Sequence, residues 1–295
     1  MALSTEEFDL RFAGLDQWSD TDFLTALWEG QMRAVASVGP VIGILARTAS
    51  NIADQLLDGG RLVYAGAGTS GTVAWQDAKE LGGTFGWPED QTIVLVAGGV
   101  DSEPGVFNAA EDDIDAARAA IRHHNIGSGD VVIGVAASGS TPFTLNAICA
   151  ARAAGALTVG ICNNGDGALL DHVDHGIFLD SAPEVIAGST RMGAGTAQKA
   201  ALNMLSTLVM NRMGRLFDNL MVGMRADNVK LQGRAVRIVV QIAQCNADTA
   251  QLALEQSGFD IRSAVLMARG KNLSEAKEIL ASVNGNLRAA LEYKD

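Results

Sequence analysis

The sequence predicts an α/β fold in which a parallel β-sheet is sandwiched by helices and followed by a small helical domain. Short β-rich apolar runs recur at residues 61–66, 92–97, 131–137, 157–162 and 175–179, with helix-period segments between most of them. Two of these runs, RLVYAGAGTSG at 61–71 and VVIGVAASGSTP at 131–142, lead an apolar strand straight into a glycine- and hydroxyl-rich turn. From about residue 246 the texture changes to short helices broken by Gly258, Gly270 and Gly285, which sets the expected boundaries at 1–245 and 246–295.

In chain order, Phe23, Leu27, Val35 and Val38, then Ile42, Leu45, Ile52 and Leu56, fall at helical spacing and predict two helices meeting near Gly39 and Pro40. The first strand ends in Gly66, Gly68 and Gly71, which let the backbone turn sharply without Cβ atoms in the way, while Thr69 and Ser70 add hydroxyl donors. Ser138, Gly139, Ser140 and Thr141 repeat the arrangement, with Pro142 placed as a first helical residue. A helix opening after such a turn aims free amides and a positive dipole end at one spot, so both loops read as phosphate cradles at the carboxyl ends of the strands. Gly66-x-Gly68-x-x-Gly71 also fits a dinucleotide fingerprint, which needs an acidic residue closing the second strand. Glu89 and Asp90 precede that strand and Asp101 follows it too late, so a phosphorylated ligand is preferred to NAD and no cofactor is expected. The apolar helix pattern at 195–213 exceeds the needs of one small sheet and suggests a homodimer. In the C-terminal region Ile261-Arg262-Ser263-Ala264 is echoed by Leu287-Arg288-Ala289-Ala290.

Composition narrows the function classes. With 295 residues, 48% of them hydrophobic and only 5 prolines, the chain is long and apolar enough for a large folded core. A net charge of −12 argues against nucleic acid or an anionic membrane as partner, since either calls for clustered lysine and arginine. Cys149, Cys162 and Cys245 lie in apolar stretches without CxxC spacing and read as buried reduced thiols of a cytoplasmic protein. The N-terminus lacks a basic region followed by an apolar run, and no stretch of 18 uninterrupted apolar residues suggests a membrane span. His172 and His175, in DHVDH, have chelating spacing but no evident third ligand, so no metal is expected. His123 and His124 close a helix, where they complement its negative end.

YAGAGTSG at 64–71, DAKELGGTFG at 77–86, LVAGG at 95–99, GVAASGSTP at 134–142 and above all PEVIAGSTRMGAGTAQKAALNMLST at 183–207 resemble the N-acetylmuramic acid 6-phosphate etherase family of the sugar isomerase (SIS) superfamily. The resemblance spans about residues 20–290 and implies a flavodoxin-like SIS domain with a small UBA-like helical C-terminal domain. It also implies a cofactor-free lyase of peptidoglycan recycling that cleaves the ether between C3 of the sugar and D-lactate. That chemistry asks for a base at C2 and an acid at the departing lactate oxygen.

By this resemblance the acid falls on Glu80, and the family's base position falls on Asn108, a neutral amide that cannot accept a proton. Glu111, one helical turn on, and Glu184 are the alternative carboxylates. Thr72 and Ser140 stand where the family usually carries arginine, leaving Arg191 and Lys199, with Ser189, as further ligand-binding candidates. An SIS enzyme with an altered substrate and a non-catalytic sugar-phosphate sensor are the alternative functions.

Overall fold

The computed structural model describes residues 4–99 and 109–293, so Asn108 lies outside the described residues. Internal contacts divide the chain into two compact units, one holding Met1–Ala78 and Asp90–Ser206, the other Lys79–Glu89 and Thr207–Asp295.

In the first unit, helix α1 (Asp20–Ala36) starts where the Ser19 side chain accepts the Asp22 amide, a standard N-cap. A 3-10 turn, Gly39–Val41, carries Pro40 and leads into α2 (Ile42–Leu57), as the sequence predicts. The stretch Asp20–Leu57 is long and apolar enough to span a membrane by length and composition. Its α2 half instead buries Leu45, Ala49, Ile52, Ala53 and Leu56 and packs on the sheet.

Strands β1 (Leu62–Gly66), β2 (Thr92–Val96), β3 (Val131–Val135), β4 (Leu157–Cys162) and β5 (His175–Phe178) form one sheet in the order β2-β1-β3-β4-β5, every pairing parallel. Every residue of β1 and β3 is buried, which explains their continuous apolar character, since a parallel sheet is covered on both faces. Helices α3 (Gly68–Phe85), α4 (Ile114–His123) and α5 (Pro142–Ala153) follow β1, β2 and β3. Val63, Ala65, Leu95 and Val132 meet Ala117, Ile121, Ala147, Ile148 and Ala151 in a shared core. At Gly134 a Cβ would stand 2.6 Å from Ile148 Cγ1, so the absence of a side chain sets how closely α5 approaches the sheet. Helix α6 (Gly193–Arg212) buries Ala194, Ala197, Ala201, Leu202 and Leu205.

The second unit contains a short hairpin, β6 (Leu216–Phe217) with β7 (Leu220–Met221), and helices α7 (Val229–Ala243), α8 (Ala247–Gln256), α9 (Ile261–Ala268), α10 (Leu273–Ser282) and α11 (Leu287–Glu292). Asn228, Asn246, Asp260, Asn272 and Asn286 each cap the helix that follows them. The sequence echo therefore marks two capped helix starts, at Ile261 and Leu287. The helical cluster begins before residue 246, because Ile238, Val239 and Ile242 of α7 share one core with Leu254, Val265 and Leu280.

None of the three cysteines is disulfide-bonded. Burial pushes the Cys162 thiol up to about 11, whereas Cys149 and Cys245 are only half-buried, at variance with the expectation of three buried thiols.

Candidate active site

In the order β2-β1-β3-β4-β5 the chain runs outward in opposite directions from β1 and β3, so the connections leaving these two strands diverge. A crevice at the carboxyl ends of such strands is where open α/β sheets bind ligands. Both SG loops leave at this point, with Gly66 and Val135 in register across the two strands.

The first loop folds tightly on itself. Gly71 donates its amide to the Ala67 carbonyl at 3.0 Å, and a Cβ on Gly66 would stand 2.8 Å from the Gly71 Cα. These two glycines allow α3 to pack closely on the end of β1. Gly68 differs: its φ is +54°, and a Cβ there would meet Glu111 Oε1 at 3.2 Å. Thr69 and Ser70 follow in the first turn of α3, where amides lack acceptors within the helix.

Glu111 is half-buried, and its carboxylate stands against this loop. Its carbonyl accepts the Phe143 amide at 2.9 Å, which fastens it to the start of α5 beside the second loop. Burial first, and the Asp112 charge second, raise its pKa above the ordinary glutamate value of 4.5. Local sequence does not reveal this placement, because the 42 residues between Gly68 and Glu111 must first be folded so that the two meet.

The second loop is satisfied internally to a greater degree than the sequence suggests. Gly139, at φ +69°, donates to the Ala136 carbonyl at 3.0 Å, and Ser140 donates its amide to Ser138 Oγ at 3.1 Å. Ser138 Oγ and Thr141 Oγ1 lie 3.2 Å apart and share a hydrogen bond. The loop's shape is thus fixed by its own hydrogen bonds, and Ser140 is exposed.

The third segment is the block before α6. Glu184, only 4% exposed, accepts the amides of Gly193 and Ala194 at 2.8 Å each and so closes the α6 N-terminus. Both of its oxygens accept amides there, so Glu184 caps α6. A Cβ on Gly195 would stand 3.2 Å from Thr69 Cγ2, so the first turn of α6 lies against the first loop. Ser189 is half-buried and Arg191 exposed in the turn leading to α6. Gly68 to Gly71, Glu111, Ser138 to Thr141 and the α6 start are therefore neighbours through these contacts.

Glu80 is exposed and lies on α3, the helix that opens at Gly68 and runs through both compact units. Twelve residues separate it from Gly68, and at 1.5 Å per residue that is ~18 Å along the axis. Thr72, where the family usually has arginine, turns its hydroxyl back onto the Gly68 carbonyl at 3.1 Å.

A polar cluster unforeseen from the sequence lies beneath α3. Asp77, 1% exposed, accepts from Tyr64 Oη at 2.9 Å, Asn203 Nδ2 at 2.6 Å and Ser206 Oγ at 3.1 Å. Burial raises its pKa, while these three donors and then the charge of half-buried Lys199 oppose the rise. The only signal available beforehand was an aspartate at an apolar helix position.

The histidines serve other purposes. His172 Nδ1 bonds the Ala168 carbonyl at 2.8 Å and His175 Nε2 bonds Asn51 Nδ2 at 3.0 Å. Among the described residues no cluster of three metal-ligating side chains occurs.

Comparison with known proteins gives a consistent result. Residues 44–152 match the profile of the glucokinase regulatory protein N-terminal SIS domain, and residues 115–208 that of the SIS domain. N-acetylmuramic acid 6-phosphate etherase from Deinococcus radiodurans is 44% identical over 97% of this chain and 94% of that protein. N-acetylmuramic acid 6-phosphate etherase 2 from Bacillus licheniformis is 39% identical over 98% of this chain and 97% of that protein. A solved structure from Bacteroides fragilis, described as a candidate phosphosugar isomerase involved in capsule formation, superposes with a TM-score of 0.53 at 19% identity, covering 68% of this chain and 95% of that one, a likeness of fold alone. With relatives this similar along nearly its full length, the chain belongs to the N-acetylmuramic acid 6-phosphate etherase family.

Proposed function

We propose that this protein is a carbon–oxygen lyase that cleaves the D-lactyl ether of N-acetylmuramic acid 6-phosphate, giving N-acetylglucosamine 6-phosphate and D-lactate. The observation that carries the reading is the Glu111 carboxylate standing against Gly68 in a phosphate-type loop at the sheet's switch point. A carboxylate whose pKa is raised by burial is a better proton acceptor than an exposed one, and it sits beside amides suited to an anion.

In this reading the sugar phosphate is held by the loops Gly68 to Gly71 and Ser138 to Thr141. After ring opening, Glu111 takes the C2 proton beside the aldehyde. The C–H electron pair becomes the C2–C3 double bond as the C3–O bond breaks, and the lactate oxygen takes a proton from Glu80. Water then adds across the double bond, hydroxyl to C3 and proton to C2. Glu111 thus fills the role that the resemblance placed at Asn108.

The ~18 Å along α3 between Gly68 and Glu80 ties the acid role to a homodimer, in which a second copy delivers Glu80. Leu24, Trp28, Met32 and Val35 support such an assembly, since they lie on one stripe of α1 and are 62%, 62%, 55% and 49% exposed. The cytoplasm is the expected compartment, in keeping with three cysteines outside any disulfide.

A non-catalytic sugar-phosphate sensor is the second reading, favoured by Thr72, whose hydroxyl is spent on the Gly68 carbonyl where an arginine would reach a ligand. Incubation with N-acetylmuramic acid 6-phosphate separates the two. Release of D-lactate, lost by about 10²- to 10⁴-fold in Glu111→Gln, is the expected result for a positioned base. Tight binding without lactate release selects the sensor, and neither binding nor release overturns both.

A further inference from the structure

Thr5 is 1% exposed, although it lies at the very start of the described chain. Its turn, Ser4–Glu6, is linked through Asn164 to the segment leading to the second SG loop, which the proposed function uses, and touches the turn that carries the further ligand-binding candidates Ser189 and Arg191. Asn164, immediately after β4, is the first attachment. Its Oδ1 accepts Ser4 Oγ at 2.9 Å and the Thr5 amide at 3.4 Å, while its Nδ2 donates to Thr5 Oγ1 at 3.2 Å. The same Nδ2 donates to the Ala137 carbonyl at 2.8 Å, and Ala137 directly precedes Ser138 of the second loop. Asn164 is itself fully buried.

The second attachment is at Gly188. Its amide donates to the Thr5 carbonyl at 3.0 Å, and its own carbonyl accepts the Thr190 amide at 2.9 Å, so the turn carrying Ser189 and Arg191 hangs from Thr5. Gly188 has φ +75°, and a Cβ there would stand 2.7 Å from Glu6 Oε2. The positive φ suits glycine, and the Gly188 amide bond to the Thr5 carbonyl is what holds this backbone beside the Ser4–Glu6 turn.

We infer that the Ser4–Glu6 turn is a positioning element of the sugar-phosphate site, with Thr5 fixing the second SG loop through Asn164 and the Ser189 to Arg191 turn through Gly188. The inference rests on the proposed function for the identity of the ligand, and on the hydrogen bonds above for the linkage. Thr5 and Asn164 have no assigned contact with substrate. They act by restricting where the two segments sit, so their loss is felt in binding rather than in the proton transfers carried out by Glu111 and Glu80. A positioned loop that relaxes by about 1 Å loses pre-organised contacts to its ligand.

The test compares wild type, Thr5→Val, Thr5→Ser and Ser4→Ala. Thr5→Val keeps the shape and the two backbone bonds but removes the hydroxyl, while Thr5→Ser retains it. N-acetylglucosamine 6-phosphate binding is measured by calorimetry, lactate release by steady-state kinetics, and folding by thermal melts. Thr5→Val is expected to weaken binding and raise KM roughly three- to tenfold, the size of one buried hydrogen bond, with kcat within about twofold of wild type and Thr5→Ser near wild type. Ser4→Ala, a milder change that keeps the fold if Thr5→Val does not, is expected to raise KM about two- to threefold. A lowered melting temperature with unchanged Kd and KM, or equal effects of Thr5→Val and Thr5→Ser, overturns the positioning role. Failure of wild type to bind the sugar phosphate is a different result: it overturns the proposed function, and the inference with it.

Discussion

At the scale of single residues, one carboxylate stands against the first loop and another caps a helix. Glu111 is half-buried and its pKa is raised, first by burial and then by Asp112. A base must be deprotonated to act, so kcat/KM is expected to fall as pH drops through a value above 4.5, and Glu111→Gln should abolish that acidic limb along with the activity. An acidic limb that survives Glu111→Gln would place the base elsewhere. Glu184 is expected to behave differently. Both its oxygens cap α6, so Glu184→Ala should lower stability by about 1–2 kcal/mol in a urea titration. Activity at a temperature where the variant is folded should be altered far less than in Glu111→Gln.

At the scale of elements, α3 is pinned to β1 and α6 by Asp77, whose carboxylate gathers donors from Tyr64, Asn203 and Ser206. Glu80, the proposed acid, lies one helical turn further along the same helix. Asp77→Ala leaves three donors without their acceptor in a buried place and is expected to cost about 2–4 kcal/mol by denaturant melts. The pH dependence has a definite sign. The folded pKa of Asp77 is raised above 3.8, chiefly by burial, so the folded state favours its protonated form. Its contribution is fully present below 3.8 and is lost as pH rises through the folded value. Over that window wild type should therefore lose stability relative to Asp77→Asn, and a parallel course of the two melting curves would contradict the assignment.

At the scale of the whole molecule, the proposed homodimer, in which a second copy delivers Glu80, can be tested directly. Light scattering should give twice 30.7 kDa at micromolar concentration. A stronger test mixes two inactive variants, Glu80→Gln and Glu111→Gln, after reversible dissociation. If each site draws Glu111 from one copy and Glu80 from the other, random pairing makes half the dimers mixed, with one intact site of two, and about a quarter of wild-type activity returns. If both residues of a site come from one copy, the mixture stays inactive.

The sequence alone determined the alternation of strands and helices, the two SG loops, the break at Gly39 and Pro40 and the helical character of the C-terminal region. Each is written in near neighbours: apolar runs of strand length, helix-period spacing, and glycine or proline where an element breaks. The family was legible too, from the block at 183–207. Only the tertiary structure decided which carboxylate meets the first loop, because Glu111 reaches Gly68 after the chain has passed through β2 and returned. It alone decided that Glu184 is spent on α6, since a cap's acceptor can stand nine residues before the amides it serves. It moved the start of the helical core to before residue 246, where α7 offers an apolar face that only packing shows to be shared. Thr5, Asn164 and Asp77 were invisible for the same reason. A buried polar side chain is defined by the partners that fold around it, and those partners lie up to 160 residues away.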